Sequence, residues 1–239
     1  MGERGLVDPV TRVTLPAYYM DRTEVSVASY AACVQAGLCS EANVTTCGEQ
    51  SNWGRPGREN HPINCIDWTQ ARTLCASRGA RLPTEAEWEF AARGSDGRPY
   101  PWGSEATSDD RANFYSEAQG QLSVEGYRVR PMSLSDRASE DRGTSAVDSH
   151  AAGASPFGLL NMAGNVWEWV EDRYAPYLGG SVSNPQGPPA GTGHEERVVR
   201  GGGYSSMNAA GFRTFDRDST LPNHRGRNLG FRCARNVGG

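Results

Sequence analysis

The chain has 239 residues, a formal net charge of −4, 29 glycines, 14 prolines and 9% aromatic residues. That length suits one large domain or two small ones, and the acidic balance argues against nucleic acid or an anionic membrane surface as partner. All 24 basic residues are arginine, which excludes chemistry that needs a lysine, such as Schiff-base formation or a Walker-type phosphate loop.

Residues 1–12 read as a leader to a single domain over 13–239. Residues 13–25 (VTLPAYYMDRTEV) carry β-favouring residues and read as one strand. Ser26 can cap a helix over 27–36, ended by Gly37. Residues 38–64, rich in Gly, Asn and Cys, read as a stapled loop. Asp67, with Gln70 three residues on, opens a second helix that stops near Gly79. Thr84 and Glu87 form a capping box behind Pro83, and Trp88, Ala91 and Ala92 give the helix that follows one apolar face. Residues 104–156 are polar, and a stretch of that length needs something to hold it. Bound cations are one candidate, with Asn113, Glu117, Asp136, Glu140, Asp141 and Asp148 as oxygen donors.

The segment 159–172 (LLNMAGNVWEWVED) is the centre of the chain. Its period-2 pattern predicts a strand over 166–170, with Trp167 and Trp169 on one face and Val166, Glu168 and Val170 on the other. A carboxylate between two valines is costly unless it is paired or bound to a metal. Two readings stay open: Glu168 pairs with one of the arginines, or it joins Asn161 and the turn Ala163-Gly164-Asn165 around a hard cation such as calcium. Residues 172–196 then read as a Gly/Pro-rich loop. Residues 197–200, 212–213 and 230–234 are further strand candidates, with a polar loop over 216–229.

Six cysteines form an even set without a zinc spacing. The expectation is three disulfides and an exported protein (periplasmic, cell-surface or secreted) whose signal segment is not part of this sequence; six buried thiols in a cytosolic protein are the alternative. Sequence proximity pairs Cys33 with Cys39 and Cys47 with Cys65, which leaves Cys75 for Cys233. No stretch is long and apolar enough for a transmembrane helix.

Five motifs occur in order: 81–94 (RLPTEAEWEFAARG), 100–103 (YPWG), 161–169 (NMAGNVWEW), 197–204 (RVVRGGGY) and 228–234 (NLGFRCA). Together they resemble the formylglycine-generating enzyme family, the sulfatase-modifying-factor domain, across nearly the whole chain. The resemblance implies an α+β fold, an irregular C-type-lectin-like variant with little regular secondary structure and structural calcium. Carried over by position, Asn161, Gly164, Val166 and Glu168 match one calcium site, and Asn113 and Phe114, with Asp141, match a second. Cys75 and Cys233 match a family disulfide.

Active members oxidise a cysteine of a sulfatase to formylglycine with molecular oxygen and a copper ion held by two cysteine thiolates. Soft thiolates select Cu(I). Here those positions fall on Ser206 and Gly211, so no copper is expected. The positions of a second family disulfide fall near Ala92 and Asp216. The four histidines lie scattered, without metal spacing. The resulting expectation is a non-catalytic, calcium-stabilised recognition domain that binds a peptide, glycan or protein partner through residues 204–215 and 223–228. Tyr204, Ser206, Asn208, Arg213 and Asn228 are its candidate contacts. The alternative is an oxidoreductase or other enzyme with non-copper chemistry, for instance with Ser206 as nucleophile beside a general base. A structural or assembly domain is the third reading.

Overall fold

The protein is described here by a computed structural model covering residues 9–42, 44–114, 143–206 and 209–238. Three helices of nine or ten residues and eight short strands are set among long loops, as an α+β fold with little regular structure. Among the described residues the strands form a four-stranded sheet in the order β6 (Arg217–Thr220), β5 (Arg197–Arg200), β3 (Trp167–Arg173), β7 (Leu229–Phe231), and two two-stranded ladders, β1 (Thr11–Thr14) with β4 (Gly180–Ser183) and β2 (Tyr18–Met20) with β8 (Ala234–Asn236).

The first predicted strand is two. Pro16, which has no amide to give to a ladder, falls in the break between β1 (Thr11–Thr14) and β2 (Tyr18–Met20). β1 starts two residues inside the expected leader and runs parallel to β4 (Gly180–Ser183), a strand hidden in the predicted Gly/Pro loop. β2 pairs antiparallel with β8 (Ala234–Asn236), which brings the two ends of the described chain together.

The helix caps behave as the sequence predicts. In α1 (Val27–Gln35) the Ser26 hydroxyl accepts from the Ser29 amide, and a one-turn helix α2 (Val44–Cys47) follows. In α3 (Trp68–Ser77) and α4 (Glu85–Arg93) both halves of the capping box form, at Asp67/Gln70 and Thr84/Glu87. Each satisfies two amides that a helix start otherwise leaves without partners.

β3 (Trp167–Arg173) lies between β5 (Arg197–Arg200), antiparallel to it, and β7 (Leu229–Phe231), parallel to it. It begins one residue later than predicted and runs three residues further. Its two faces meet different clusters. Trp169 joins Tyr30, Ile66, Leu74 and Phe231 against α1 and α3. Val170 joins Trp88, Ala91, Ala92 and Val198 beneath α4. With both faces covered, Glu168 is fully buried.

Further predictions need correction, among them the strand over 230–234, which is divided between β7 and β8 (Ala234–Asn236). Residues 212–213 are not a strand: a 3-10 turn spans Ala209–Phe212, and Phe212 packs edge-on against Phe114 at 5.0 Å between ring centroids. The polar loop over 216–229 contains β6 (Arg217–Thr220), which pairs with β5. Its residues, Arg217-Asp218-Ser219-Thr220, are all polar, so hydrophobic patterning cannot reveal it.

Candidate functional site

Glu168 is paired with arginine. Arg232 Nε donates to Oε2 at 2.7 Å and Nη2 to Oε1 at 2.7 Å, while Trp88 Nε1 donates to Oε2 at 2.8 Å. The other Arg232 donors go to the carbonyls of Asp21, Arg22 and Leu160. The guanidinium, itself fully buried, therefore has its donors committed.

A second buried carboxylate stands beside this pair. Glu24 accepts from Asn161 Nδ2 at 2.9 Å and from Asn165 Nδ2 at 2.8 Å. Both asparagines have positive φ, 55° and 61°, a left-handed backbone that Asn tolerates better than most residues. Burial raises the Glu24 pKa, Arg232 opposes it, and the Glu168 charge adds to the rise. Between the two asparagines, Gly164 has φ +79°, and a Cβ there would stand 2.4 Å from the Asn113 carbonyl oxygen.

The Asn161 side chain decides whether the carried-over calcium ligands fit a cation. Its Nδ2 is shared between Glu24 and the Val147 carbonyl at 2.9 Å. Its Oδ1 is buried without a hydrogen-bond partner among the described residues. A buried orphan oxygen is costly, and two carboxylates against one guanidinium leave the cluster an excess negative charge when both are ionised. On these two counts the residues fit an oxygen-preferring cation, one that would share Glu168 with Arg232. Among the described residues there is no group of three His, Cys, Asp or Glu side chains that could hold a metal alone, so carbonyl and amide oxygens would have to complete the shell.

Around the second carried-over site, the Asn113 carbonyl accepts from the Asn165 amide at 2.7 Å. Asn113 Nδ2 donates to the Gly143 carbonyl and to Asn165 Oδ1. Phe114 is buried against Phe212. Asp141, Glu117, Asp136 and Glu140 lie outside the described residues, and Asp148 accepts from Asn60 at 2.8 Å.

The C-terminal groove comes together in part. The Tyr204 amide donates to the Asn165 carbonyl at 2.8 Å, which ties the groove to the Asn161–Glu168 turn. Asn228 Nδ2 donates to Ser205 Oγ at 2.9 Å, which brings Asn228 beside the segment after Tyr204. Ser206 closes a local turn: its Oγ accepts from the Gly203 amide at 3.0 Å and its own amide donates to the Gly203 carbonyl. No histidine or carboxylate is bonded to Ser206 among the described residues. Arg213 lies over the Phe215 ring, 5.9 Å from its centroid, and Asn208 lies outside the described residues.

Tyr204 also lines a polar cavity of about 330 Å³, which it shares with Cys47, Glu49, Gln50, Asn52, Arg55, Arg58 and Gly143. The far wall comes from the stapled loop, whose residues 49–58 carry no sequence motif. The only signal toward them was the pairing of Cys47 with Cys65. That pairing is present, as are Cys33–Cys39 and Cys75–Cys233, and no cysteine is free. Ala92 is buried in α4 and Asp216 follows Phe215, with no sulfur at either place.

Comparison with known proteins places this geometry. The family model of the sulfatase-modifying factor enzyme 1-like domain matches residues 1–237. A formylglycine-generating enzyme of Streptomyces coelicolor is 32% identical, over 95% of this chain and 80% of its own length. One from Bos taurus is 30% identical over 95% of this chain and 67% of its own. The inactive C-alpha-formylglycine-generating enzyme 2 of Mus musculus is 34% identical over 74% of this chain and 50% of its own. Among solved structures, Treponema denticola variable protein 1 matches with a TM-score of 0.65 at 21% identity, covering 93% of this chain and 86% of that one. PvdO from Pseudomonas aeruginosa matches with 0.64 at 23% identity, covering 92% and 80%. At those identities the structural matches speak for the fold alone.

Proposed function

Since the chain belongs to the sulfatase-modifying factor enzyme 1-like family, we propose that it is a non-catalytic member, a recognition domain that binds a peptide or protein partner beside Tyr204. The observation that carries this reading is the state of the cysteines. All six are consumed in disulfides, and Ser206 and Gly211 stand where the family resemblance puts the two copper thiolates. A hydroxyl and a bare Cα offer a soft monovalent ion nothing to bind. The nucleophile alternative has no base in place: among the described residues no histidine or carboxylate is bonded to Ser206, whose Oγ accepts from the Gly203 amide. What remains at the groove is a polar cavity beside a buried scaffold, an arrangement suited to holding a ligand in one orientation.

The same reading gives the domain structural calcium at the Asn161–Glu168 turn. Asn161 and Glu168 would supply side-chain oxygens and Gly164 and Val166 backbone oxygens. The cation would neutralise the excess charge of Glu24 and Glu168. It also makes the protein exported: three disulfides persist in an oxidising compartment. Among the described residues no helix is long and apolar enough to cross a membrane.

The deciding experiment is incubation of the purified protein with Cu(I), oxygen and a cysteine-containing sulfatase peptide. The expected outcome is no mass change of the peptide over a period in which an active relative converts it. Turnover to the aldehyde would overturn the reading.

A further inference from the structure

The cavity beside Tyr204 has a charge arrangement that its family does not explain. Arg58 is held from behind: Nη1 donates to His61 Nδ1 at 3.1 Å and to the Thr144 carbonyl at 3.2 Å. The Thr144 hydroxyl is in turn fixed by Asn52 Nδ2 at 2.8 Å and lies 2.9 Å from His61 Nδ1. Burial, and the guanidinium itself, lower the His61 pKa, which keeps the ring neutral and lets Nδ1 accept. Every group that holds Arg58 is therefore uncharged. Arg55, four residues along the loop from Cys47–Ser51, donates through Nη1 to the Glu49 carbonyl oxygen. Neither Arg55, which is exposed, nor Arg58, which is half-buried, forms a salt bridge among the described residues; their hydrogen bonds go to uncharged groups.

Two guanidinium groups without a salt-bridge partner among the described residues thus border one cavity, together with Gln50, whose Oε1 is taken by Arg227 at 2.7 Å. We propose that this cavity binds a carboxylate of an acidic peptide segment, with Arg55 and Arg58 as the groups that hold it. The inference rests on the recognition reading above and names the chemistry of its ligand.

Three features choose among anions. Arg presents paired N–H donors that match a carboxylate. Glu49 on the rim offsets part of the positive charge, which suits a singly charged group over a phosphate dianion. Among the described residues Tyr204 is the one aromatic in the lining and is only 7% exposed, so these residues offer no ring for a sugar to stack on. The volume, about 330 Å³, suits one side chain and its flanking backbone. The Cys47–Cys65 disulfide fixes the loop that carries both arginines, which reduces the ordering cost on binding.

The test is a titration of the oxidised, full chain followed by amide NMR, with Ac-Gly-Gly-Glu-Gly-Gly-NH2 as probe. Ac-Gly-Gly-Gln-Gly-Gly-NH2, glucuronic acid and inorganic phosphate are the comparison arms. The Glu peptide is expected to bind saturably, with shifts at Gln50, Gly143 and Tyr204, and the Gln peptide about tenfold or more weaker, as for loss of a charge-assisted hydrogen bond. Arg58→Gln and Arg55→Gln should each weaken the Glu peptide by a similar factor. Arg55 is exposed, so its variant folds even if removing Arg58 disturbs the His61–Thr144 network. Equal binding of the Glu and Gln peptides overturns the proposal, and so does no binding of the Glu peptide to folded protein. Tighter binding of glucuronic acid or phosphate than of the Glu peptide overturns the choice of a peptide carboxylate. Copper-dependent turnover would defeat the recognition reading without touching this titration. A failed titration in a protein with no oxidase activity defeats only the carboxylate assignment.

Discussion

Arg232 is fully buried and held by Glu168 and three carbonyls, so its removal strands a buried carboxylate. Breaking one side of a buried pair typically costs roughly 3–5 kcal/mol, whereas replacing both partners by apolar groups can be nearly neutral. Arg232→Met should therefore lower stability by an amount of that order in urea unfolding, and Arg232→Met combined with Glu168→Leu should recover most of it. A double variant no more stable than the single one would show that the pair is not the unit that matters. The Asn161 oxygen makes a separate prediction. If calcium satisfies it, calcium raises the Tm and remains in the protein after dialysis, and Asn161→Ala abolishes both effects. A calcium-dependent shift that survives Asn161→Ala would move the cation elsewhere.

At the scale of elements, α4 and β3 meet through a buried carboxylate of different character. Asp172 Oδ2 accepts from the Glu85 amide in the first turn of α4, at 2.8 Å. Burial, with the Glu85 charge close by, pushes Asp172 up to about 8. The unfolded chain releases this proton near pH 4. Between those values the folded protein holds a proton that the unfolded chain has lost, so stability from this group is fully present below about pH 4 and is lost as pH rises through 8. The slope is about 1.4 kcal/mol per pH unit. Asp172→Asn, measured by urea unfolding at pH 5, 6 and 7, should flatten the curve by about that slope. An unchanged slope would mean that Asp172 titrates normally. The capping box opposite it is worth less: Thr84→Ala should cost about 1 kcal/mol.

The helix starts were legible because their signals are local. Ser26, Asp67–Gln70 and Thr84–Glu87 each act within four residues, and all three cap as read. The central strand was legible because its alternation is strong. Its partner was not: Arg232 reaches Glu168 across 64 residues of sequence, and nothing local in Gly230-Phe231-Arg232 names an acid. The same holds for β6, whose residues are polar on both sides, and for the cavity wall at Gln50–Arg58, which meets Tyr204 through tertiary placement alone. Tyr204 lies in a motif, yet Arg55 and Arg58, which line the cavity with it, lie more than 140 residues away in sequence.

At the scale of the whole molecule, the chain is closed by Cys75–Cys233, with a sequence separation of 158. It joins α3 to the segment between β7 and β8, and both cysteines belong to the core cluster around Trp169. In the chain-entropy account, a cross-link stabilises by shrinking the unfolded ensemble, and more so for longer loops. The separations are 158, 18 and 6 for Cys75–Cys233, Cys47–Cys65 and Cys33–Cys39. The corresponding terms are about 5, 3 and 2 kcal/mol. Paired Cys→Ala variants should therefore lose stability in that order in guanidinium unfolding. The Cys75→Ala/Cys233→Ala variant adds a cavity cost, because both sulfurs are buried. The opposite order would mean that the disulfides act by local strain or packing. Loss of the Cys47–Cys65 link should also weaken binding of the Glu peptide at unchanged fold, because that link holds Arg55 and Arg58 in place. Unchanged affinity in that variant would show that the arginine loop is ordered by the Asn52–Thr144–His61 bonds alone.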